Sequence, residues 1–536
     1  MLLIMNPYYD RKEDVNSMEK YLMAVDAGTG SVRVILFNTQ GNEQFVTQSE
    51  WTHHEDKRYP GSMDFDIEKN IDIIINLIKE ILAKSKINPE NIVAISTTSM
   101  REAIVLYDEN GKELWACANV DSRSNDEVAH LCKLSDTIES DIHQISGQTF
   151  SLGAIPRILW VKNNIPETYN KVKYVTMLND WITYRMTDVI SVEPSNGCTT
   201  GLFDIKKRVW DPSIAEKVGL RSDIFPIVNE SGSIINHVTK EFSALTGLST
   251  QTIVVAGGGD AQLGCIGMGV INEGDAAVLG GSFWQYEYTT NHVEINDHCK
   301  VRVNCHAIPN TWQYEAIAFF PGLIMRWFRD TFCELEAFLQ KESGESIYAQ
   351  MEKRARNVPA GCNGMICTFS DKMNYFSWKH AAPSFIDFKF DSSYNKATFY
   401  RAIMENAAFV TKGNIEIISK ITNKSPESIV FGGGASKSDL WCQIVADVLN
   451  IKVKVPVVKE STALGAAICA GVGAGVYESF NEAIAQVVKF EKTFEPNESN
   501  HFIYEELYKK WEAVYKVQLD LADQGYTNHM WIAPGL

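Results

Sequence analysis

Twice along this chain an apolar strand runs into a glycine turn and returns at once as a second strand. Residues 21–25 lead into Asp26-Ala27-Gly28-Thr29-Gly30 and then 32–37, and residues 276–279 lead into Gly280-Gly281 and then 282–288. β-Branched and apolar runs bounded by glycine read as strands. Each pair opens a stretch in which helical and strand patterns mix, which predicts an α/β chain of two related lobes. The length agrees, because a single core stops growing near ~250–300 residues and 536 residues divide into two units of roughly 250. The expected division is a polar lead over 1–20, one lobe over 21–270 and a second over 271–536, with a hinge near 268–276.

Other elements follow from spacing. Ile74, Ile75, Leu77, Ile78, Ile81 and Leu82 mark a helix over 71–82. Residues 92–96 read as a strand, and 105–107 with Asn110-Gly111 as a hairpin. A strand over 252–256 ends on Gly257-Gly258-Gly259-Asp260. The second half continues with a helix over 399–421, a strand over 428–431, Gly432-Gly433-Gly434, a helix over 437–450 and a strand over 451–457. A small-residue helix over 463–476 is expected as the last element.

Charge and cysteine usage narrow the function. Fifty Lys and Arg against sixty-seven Asp and Glu give a formal charge of −17, which excludes a general nucleic-acid binder. A small anion held by backbone N–H groups is compatible with it. No stretch reaches the ~18–20 apolar residues of a membrane span, and the five apolar residues at the start fall short of a signal core of roughly 7–15. Eleven cysteines without a CxxC spacing read as free thiols of a reducing compartment. His53-His54 reads as an exposed loop. The chain is expected to be cytoplasmic, with neither membrane nor nucleic acid as partner.

Four motifs carry chemistry. In the first turn, Gly28 and Gly30 let backbone N–H groups and the Thr29 and Ser31 hydroxyls approach phosphate oxygens, and Asp26 is placed to hold magnesium through water. Its plain alternative is a hairpin turn. Asp260, on a glycine-freed strand end, is placed to take a proton from an attacking hydroxyl; its alternative is a helix N-cap. Arg101-Glu102 sets five fixed donors beside two acceptors, suited to vicinal hydroxyls or a carbonyl, with Asn119, Asp121 and Arg123 as a second polar cluster. A surface ion pair is the other reading of that pair. Gly432-Gly433-Gly434-Ala435-Ser436-Lys437-Ser438 joins strand to helix and admits a base or phosphates. Neither GxxxxGK[ST] nor a dinucleotide fingerprint is present.

In this order, the motifs resemble the FGGY carbohydrate kinase family over residues 21 to about 536. The carrying residues are the 26–31 turn, Arg101-Glu102, Gly259-Asp260, Gly280-Gly281-Ser282 and Gly433-Gly434-Ala435. The resemblance implies two ribonuclease-H/actin-like ATPase lobes with a central cleft for ATP and substrate. It makes Asp260 the base and places Asp26, Gly28, Thr29, Gly30 and Ser31 in the first phosphate loop, with Gly281 and Ser282 in the second. Gly322, Arg326, Gly434 and Ser438 match adenosine-diphosphate-side positions, and Arg101 and Glu102 match the polyol clamp, with Asn119, Asp121 and Gln262 as further substrate contacts. Three departures stand out: Ala261 follows the base where several polyol kinases carry an amide, Asn119 stands where glycerol kinases have Trp, and Ser282 where threonine is common.

Longer strings, among them Trp115-Ala116-Cys117-Ala118-Asn119-Val120-Asp121 and Met325-Arg326-Trp327-Phe328-Arg329-Asp330, resemble members that phosphorylate the C5 hydroxyl of (S)-4,5-dihydroxypentane-2,3-dione. The implied cofactors are ATP and magnesium, and the implied ligand is a small sugar-like substrate. By family analogy a phosphotransferase-system carrier protein is a candidate partner and a homodimer a candidate assembly. The competing readings are a kinase for another pentulose or polyol, a non-catalytic actin-like ATP switch and an inactive sugar sensor.

Overall fold

A computed structural model describes residues 19–318 and 320–534; most of the expected lead over 1–20 lies outside the described residues. The first hairpin forms as expected, with β1 (Tyr21–Ala27) antiparallel to β2 (Ser31–Asn38), and β2 continuing to β3 (Glu43–Glu50). On the other side of β1 lie two parallel neighbours, β4 (Ile92–Ser99) and β6 (Ile253–Gly259), and β5 (Ile234–His237) closes the edge antiparallel to β6. The order is β5-β6-β4-β1-β2-β3.

A second sheet repeats the plan. β7 (Ala276–Gly280) and β8 (Trp284–Thr290) form the hairpin, with β10 (Trp312–Ala318) and β9 (Arg302–Cys305) beyond β8. Parallel to β7 run β11 (Ser428–Gly432) and β12 (Lys452–Pro456), closed by the antiparallel β13 (Phe490–Phe494). Its order is β9-β10-β8-β7-β11-β12-β13.

Helices cover the sheets because their apolar stripes have nowhere else to go. Helix α1 (Ile67–Ser85) starts at Asp66, whose side chain accepts from Lys69 N, and ends at Lys86 in the left-handed region (φ 56°). It buries Ile71, Ile74, Ile75, Ile78 and Ile81 against one face of the first sheet, each contributing roughly 1.5–3 kcal/mol. The opposite face meets α2 (Asp260–Gly267) and α6 (Ser461–Gly473), whose Ala463, Ala466, Ala467 and Ala470 pack with Leu22, Ala24, Ala94 and Leu263. A Cβ on Gly465 would stand 1.9 Å from Leu263 O, and one on Gly267 the same distance from Ser461 O. The small-residue helix of the second half is thus pressed backbone to backbone against the helix that begins at Asp260.

Around the second sheet pack α3 (Pro321–Phe332), α4 (Lys396–Thr422), α5 (Asp439–Leu449) and α7 (Glu498–Asp523). Helix α6 is not the last element: Phe480–Val487 and α7 follow it. The signal for α7 is present in the sequence, since Tyr504, Leu507, Tyr508, Trp511 and Tyr515 recur on one helical face and are buried. All eleven cysteines are free and only Cys132 is not buried. Among the described residues no helix is long and apolar enough to cross a membrane.

Candidate active site

The chemistry-bearing residues gather where parallel strands end, the usual place for a ligand on an open α/β sheet. Asp26 lies near the end of β1, Arg101 just past β4, and Asp260 directly after β6. Gly259 (φ −65°, ψ 147°) is the N-cap of α2, so Asp260 is the first helical residue and its Oδ1 accepts from Ala261 N at 2.8 Å. Its side chain is 43% exposed, with Arg101 Nε 3.5 Å from Oδ1. Enclosure by protein pushes its pKa up to about 6; Arg101 works against that shift and Glu102 adds to it. The Asp26 carboxyl is pushed up to about 7 by burial, with Arg33 pulling it down and Asp260 and Glu460 raising it further.

The first glycine turn is braced from three sides. Trp51 Nε1 donates to Gly28 O at 3.0 Å, His53 Nε2 lies 2.6 Å from Thr29 O, and Thr29 Oγ1 donates to Asn119 Oδ1 at 3.2 Å. His53 is therefore half-buried against the loop, where its sequence context suggested an exposed position. Gly30 and Ser31 complete the turn, with Gly30 exposed.

Arg101 and Glu102 do not form a surface ion pair. Arg101 is buried, paired with Glu315 of β10, and Glu102 accepts from Arg302 Nη2 of β9 at 2.7 Å. Glu102 also holds a left-handed backbone (φ 63°), uncommon outside glycine and concentrated at functional sites. Arg157, which no local pattern marks, ties the segment together by donating to the carbonyls of Glu102 at 2.9 Å, Asn119 at 2.7 Å and Asp121 at 3.3 Å. The Asp121 carboxylate is occupied internally by Met63 N at 2.7 Å and by Arg123. Arg123 in turn lies over the rings of Trp115 and Trp160 and lines a separate cavity of about 430 Å³. Gln262 is fully buried beneath Gly259, where a Cβ on that glycine would stand 2.9 Å from its Oε1.

The ends of the second sheet build the other half. Gly281, Ser282, Gly322, Arg326, Gly434 and Ser438 all line one cavity of about 500 Å³. A Cβ at Gly322 would stand 2.0 Å from Gly281 O, so the first turn of α3 reaches the loop only because position 322 has no side chain. Tyr348, Tyr400 and Trp441 add aromatic walls, and Lys437 a second cation beside Arg326. The three aromatic residues come from separate elements with no shared spacing, which is why the sequence did not single them out, whereas Lys437 lies within the 432–438 motif. A Cβ on Gly434 meets nothing within 4 Å. Gly434→Leu is therefore expected to leave the melting temperature unchanged while weakening ADP binding at least about tenfold (~1.4 kcal/mol), as read by calorimetric titration.

Among the described residues no three His, Cys, Asp or Glu side chains converge as a metal-binding group. Asp26, a buried carboxyl whose proton affinity Asp260 raises further, suits a hydrated dication held through water rather than a cage made by the protein alone.

Comparison with known proteins gives one answer. Residues 21–267 match the N-terminal domain of the FGGY family of carbohydrate kinases and residues 289–474 its C-terminal domain. The autoinducer-2 kinase of Enterobacter sp. (strain 638) is 45% identical over 518 residues, covering 96% of this chain and 98% of its own. That of Photorhabdus laumondii is 44% identical over 529 residues, covering 98% and 100%. Among solved structures, ligand-bound xylulose kinase from Lactobacillus acidophilus aligns with a TM-score of 0.82 at 19% identity over 94% of this chain and 98% of its own. Plasmodium falciparum glycerol kinase with ADP aligns at 0.79 and 19% over 93% and 98%. With both family domains matched in order and relatives of 44–45% identity along nearly its whole length, the chain belongs to the FGGY family of carbohydrate kinases.

Proposed function

We propose that the chain is an autoinducer-2 kinase, transferring the terminal phosphoryl group of ATP to the C5 hydroxyl of (S)-4,5-dihydroxypentane-2,3-dione. What carries the reading is the near-full-length identity to relatives of that name. The arrangement of Asp260, Arg101 and the glycine loops supports it. The same reading divides the chain into lobes over 21–270 and 271–536. A cytoplasmic site of action, a homodimer and regulation by a phosphotransferase-system carrier protein belong to it.

The nucleotide occupies the 500 Å³ cavity, its base among Tyr348, Tyr400 and Trp441 and its phosphates toward Gly281 and Ser282. Arg101 and Glu102 orient the acceptor so that its terminal hydroxyl meets Asp260. As that oxygen bonds to the γ-phosphorus, its proton passes to the Asp260 carboxylate and the bond to the β–γ bridging oxygen breaks, leaving ADP. The N–H groups of the two glycine loops stabilise the charge that moves onto the phosphoryl oxygens. Asp26 would hold magnesium through water, and magnesium when bound supplies neutralisation of the phosphate charge.

Asp260 must be ionised to accept the proton. With its pKa near 6, activity rises with pH through that value and is lost below it. Mass spectrometry of the products formed from ATP, magnesium and a panel of linear diones, pentuloses and polyols tests the assignment. A monophosphorylated dione as the favoured product is expected; turnover of another sugar with the dione untouched overturns it.

A further inference from the structure

We propose that Glu315 and Arg302, on the antiparallel strands β10 and β9 of the second sheet, are positioning residues for phosphoryl transfer, holding Arg101 and Glu102 in a closed ring that completes the acceptor clamp from the opposite half of the chain. The inference rests on the kinase reading above and deepens it. Each oxygen of Glu315 takes one guanidinium: Oε2 that of Arg101, and Oε1 that of Arg302 at 3.0 Å. Arg302 Nη2 then closes onto Glu102 Oε1 at 2.7 Å, and Arg302 Nε onto Gln148 Oε1 at 2.9 Å. Exposure of the four ring side chains is 4% or less except for Glu102 at 12%.

Burying two ion pairs is costly, and well-packed apolar residues of similar volume are often as stable or more so. A ring of this kind earns its place through what it fixes. Here it fixes the two neighbours that reach the acceptor side, one of them on a left-handed backbone. It also governs Asp260. The groups that face its carboxylate are Arg101 and Glu102 from the segment after β4, Glu315 from β10, and Asp26 from β1. Glu315 is ionised: burial acts against its charge, but Arg101 and Arg302 outweigh it. Its register partner Glu287 is pushed well above the carboxylate range by burial and by the Glu315 charge. Glu315 therefore divides the Arg101 charge with Asp260, which keeps Asp260 basic enough to take a proton.

Full-length E315Q, E315D and R302K, assayed with ATP, magnesium and the dione across pH 5–8 and titrated with ADP, test this. E315Q is expected to lose kcat/KM on the order of 10²-fold, with its acid limb moved to lower pH because a negative charge facing Asp260 is gone. Its ADP affinity stays within about twofold of the wild type. E315D, which keeps the charge, is expected to recover the wild-type limb and part of the rate. R302K loses the guanidinium fork that holds Glu315, Glu102 and Gln148 together, and is expected to raise KM for the acceptor while kcat changes less. E315Q with an unmoved limb overturns the proposal, as does parallel loss of activity and ADP binding. Should E315Q fail to fold, R302K decides, and an unchanged acceptor KM overturns it. If the wild type turns over a different sugar, the same variants are read with that acceptor, so failure of the substrate assignment and failure of the ring are told apart.

Discussion

Asp260→Asn is expected to lower kcat by about 10²–10⁴-fold, the range of a positioned general base, and to leave ADP affinity where it was. The two effects separate because Asp260 sits at the end of β6 on the first sheet, while the 500 Å³ cavity is lined by residues from 280 onward. Asparagine keeps the shape and an oxygen able to accept from Ala261 N, as Oδ1 does now at 2.8 Å, so the start of α2 is preserved. What it loses is the capacity to receive a proton. An acid limb near pH 6, expected from the raised pKa of this carboxyl, should vanish from the residual rate. Single-turnover rates and ADP titration of the same preparation check both halves. Near-normal kcat in the variant removes Asp260 from the role of base.

Gly465→Leu is expected to destabilise the molecule at the crossing of α6 with α2. Position 465 has no room for even a Cβ, which would stand 1.9 Å from Leu263 O. The obstacle is backbone, so no rotamer change relieves it, and α6 must move away from α2. Overpacking of this kind costs about 1–3 kcal/mol or more, and denaturant unfolding of the variant should report a loss of at least that size. The displacement also reaches the site. Helix α2 begins with Asp260, and Thr462 Oγ1 on α6 donates to Asp260 O at 3.4 Å. Activity is therefore expected to fall further than the folded fraction does. Gly434→Leu, which meets open space, provides the contrast: stability kept and nucleotide affinity lost.

Much of the framework was legible because it is local. The two glycine-turned hairpins, the Ile-rich helix over 71–82 and the strand ending at Gly259 all declare themselves through spacing within a few residues. The motif residues 281, 282, 322, 326, 434 and 438 reached one cavity because each closes or follows an element whose direction is fixed by its neighbours. Helix α7 was legible too and was passed over, although its aromatic face repeats with helical period. Arg157, Gln148, Arg302 and Glu315 were not legible. Arg157, Arg302 and Glu315 act on Glu102 and Arg101 from 55, 200 and 214 positions away, and Gln148 acts on Arg302 from 154; nothing near them in the chain distinguishes a buried partner from a surface charge. His53 illustrates the same limit from the other side, since its neighbours His54, Glu55 and Asp56 suggest a solvated loop while its ring lies against Thr29 O.

By itself the sequence determined the two α/β halves, the strand ends that carry Asp26, Arg101 and Asp260, and the positions of the glycine loops. These depend on backbone conformation and on short-range periodicity, which residue type controls directly. Tertiary structure alone decided which charges are buried and paired. The same formal ionic types that sit solvated on an acidic surface become, in the ring of Arg101, Glu315, Arg302 and Glu102, buried and mutually paired. The physical reason is desolvation: a carboxylate or guanidinium acquires a strong, directional interaction only when folding removes water and brings its partner within hydrogen-bond reach, and that partner comes from the other half of the chain.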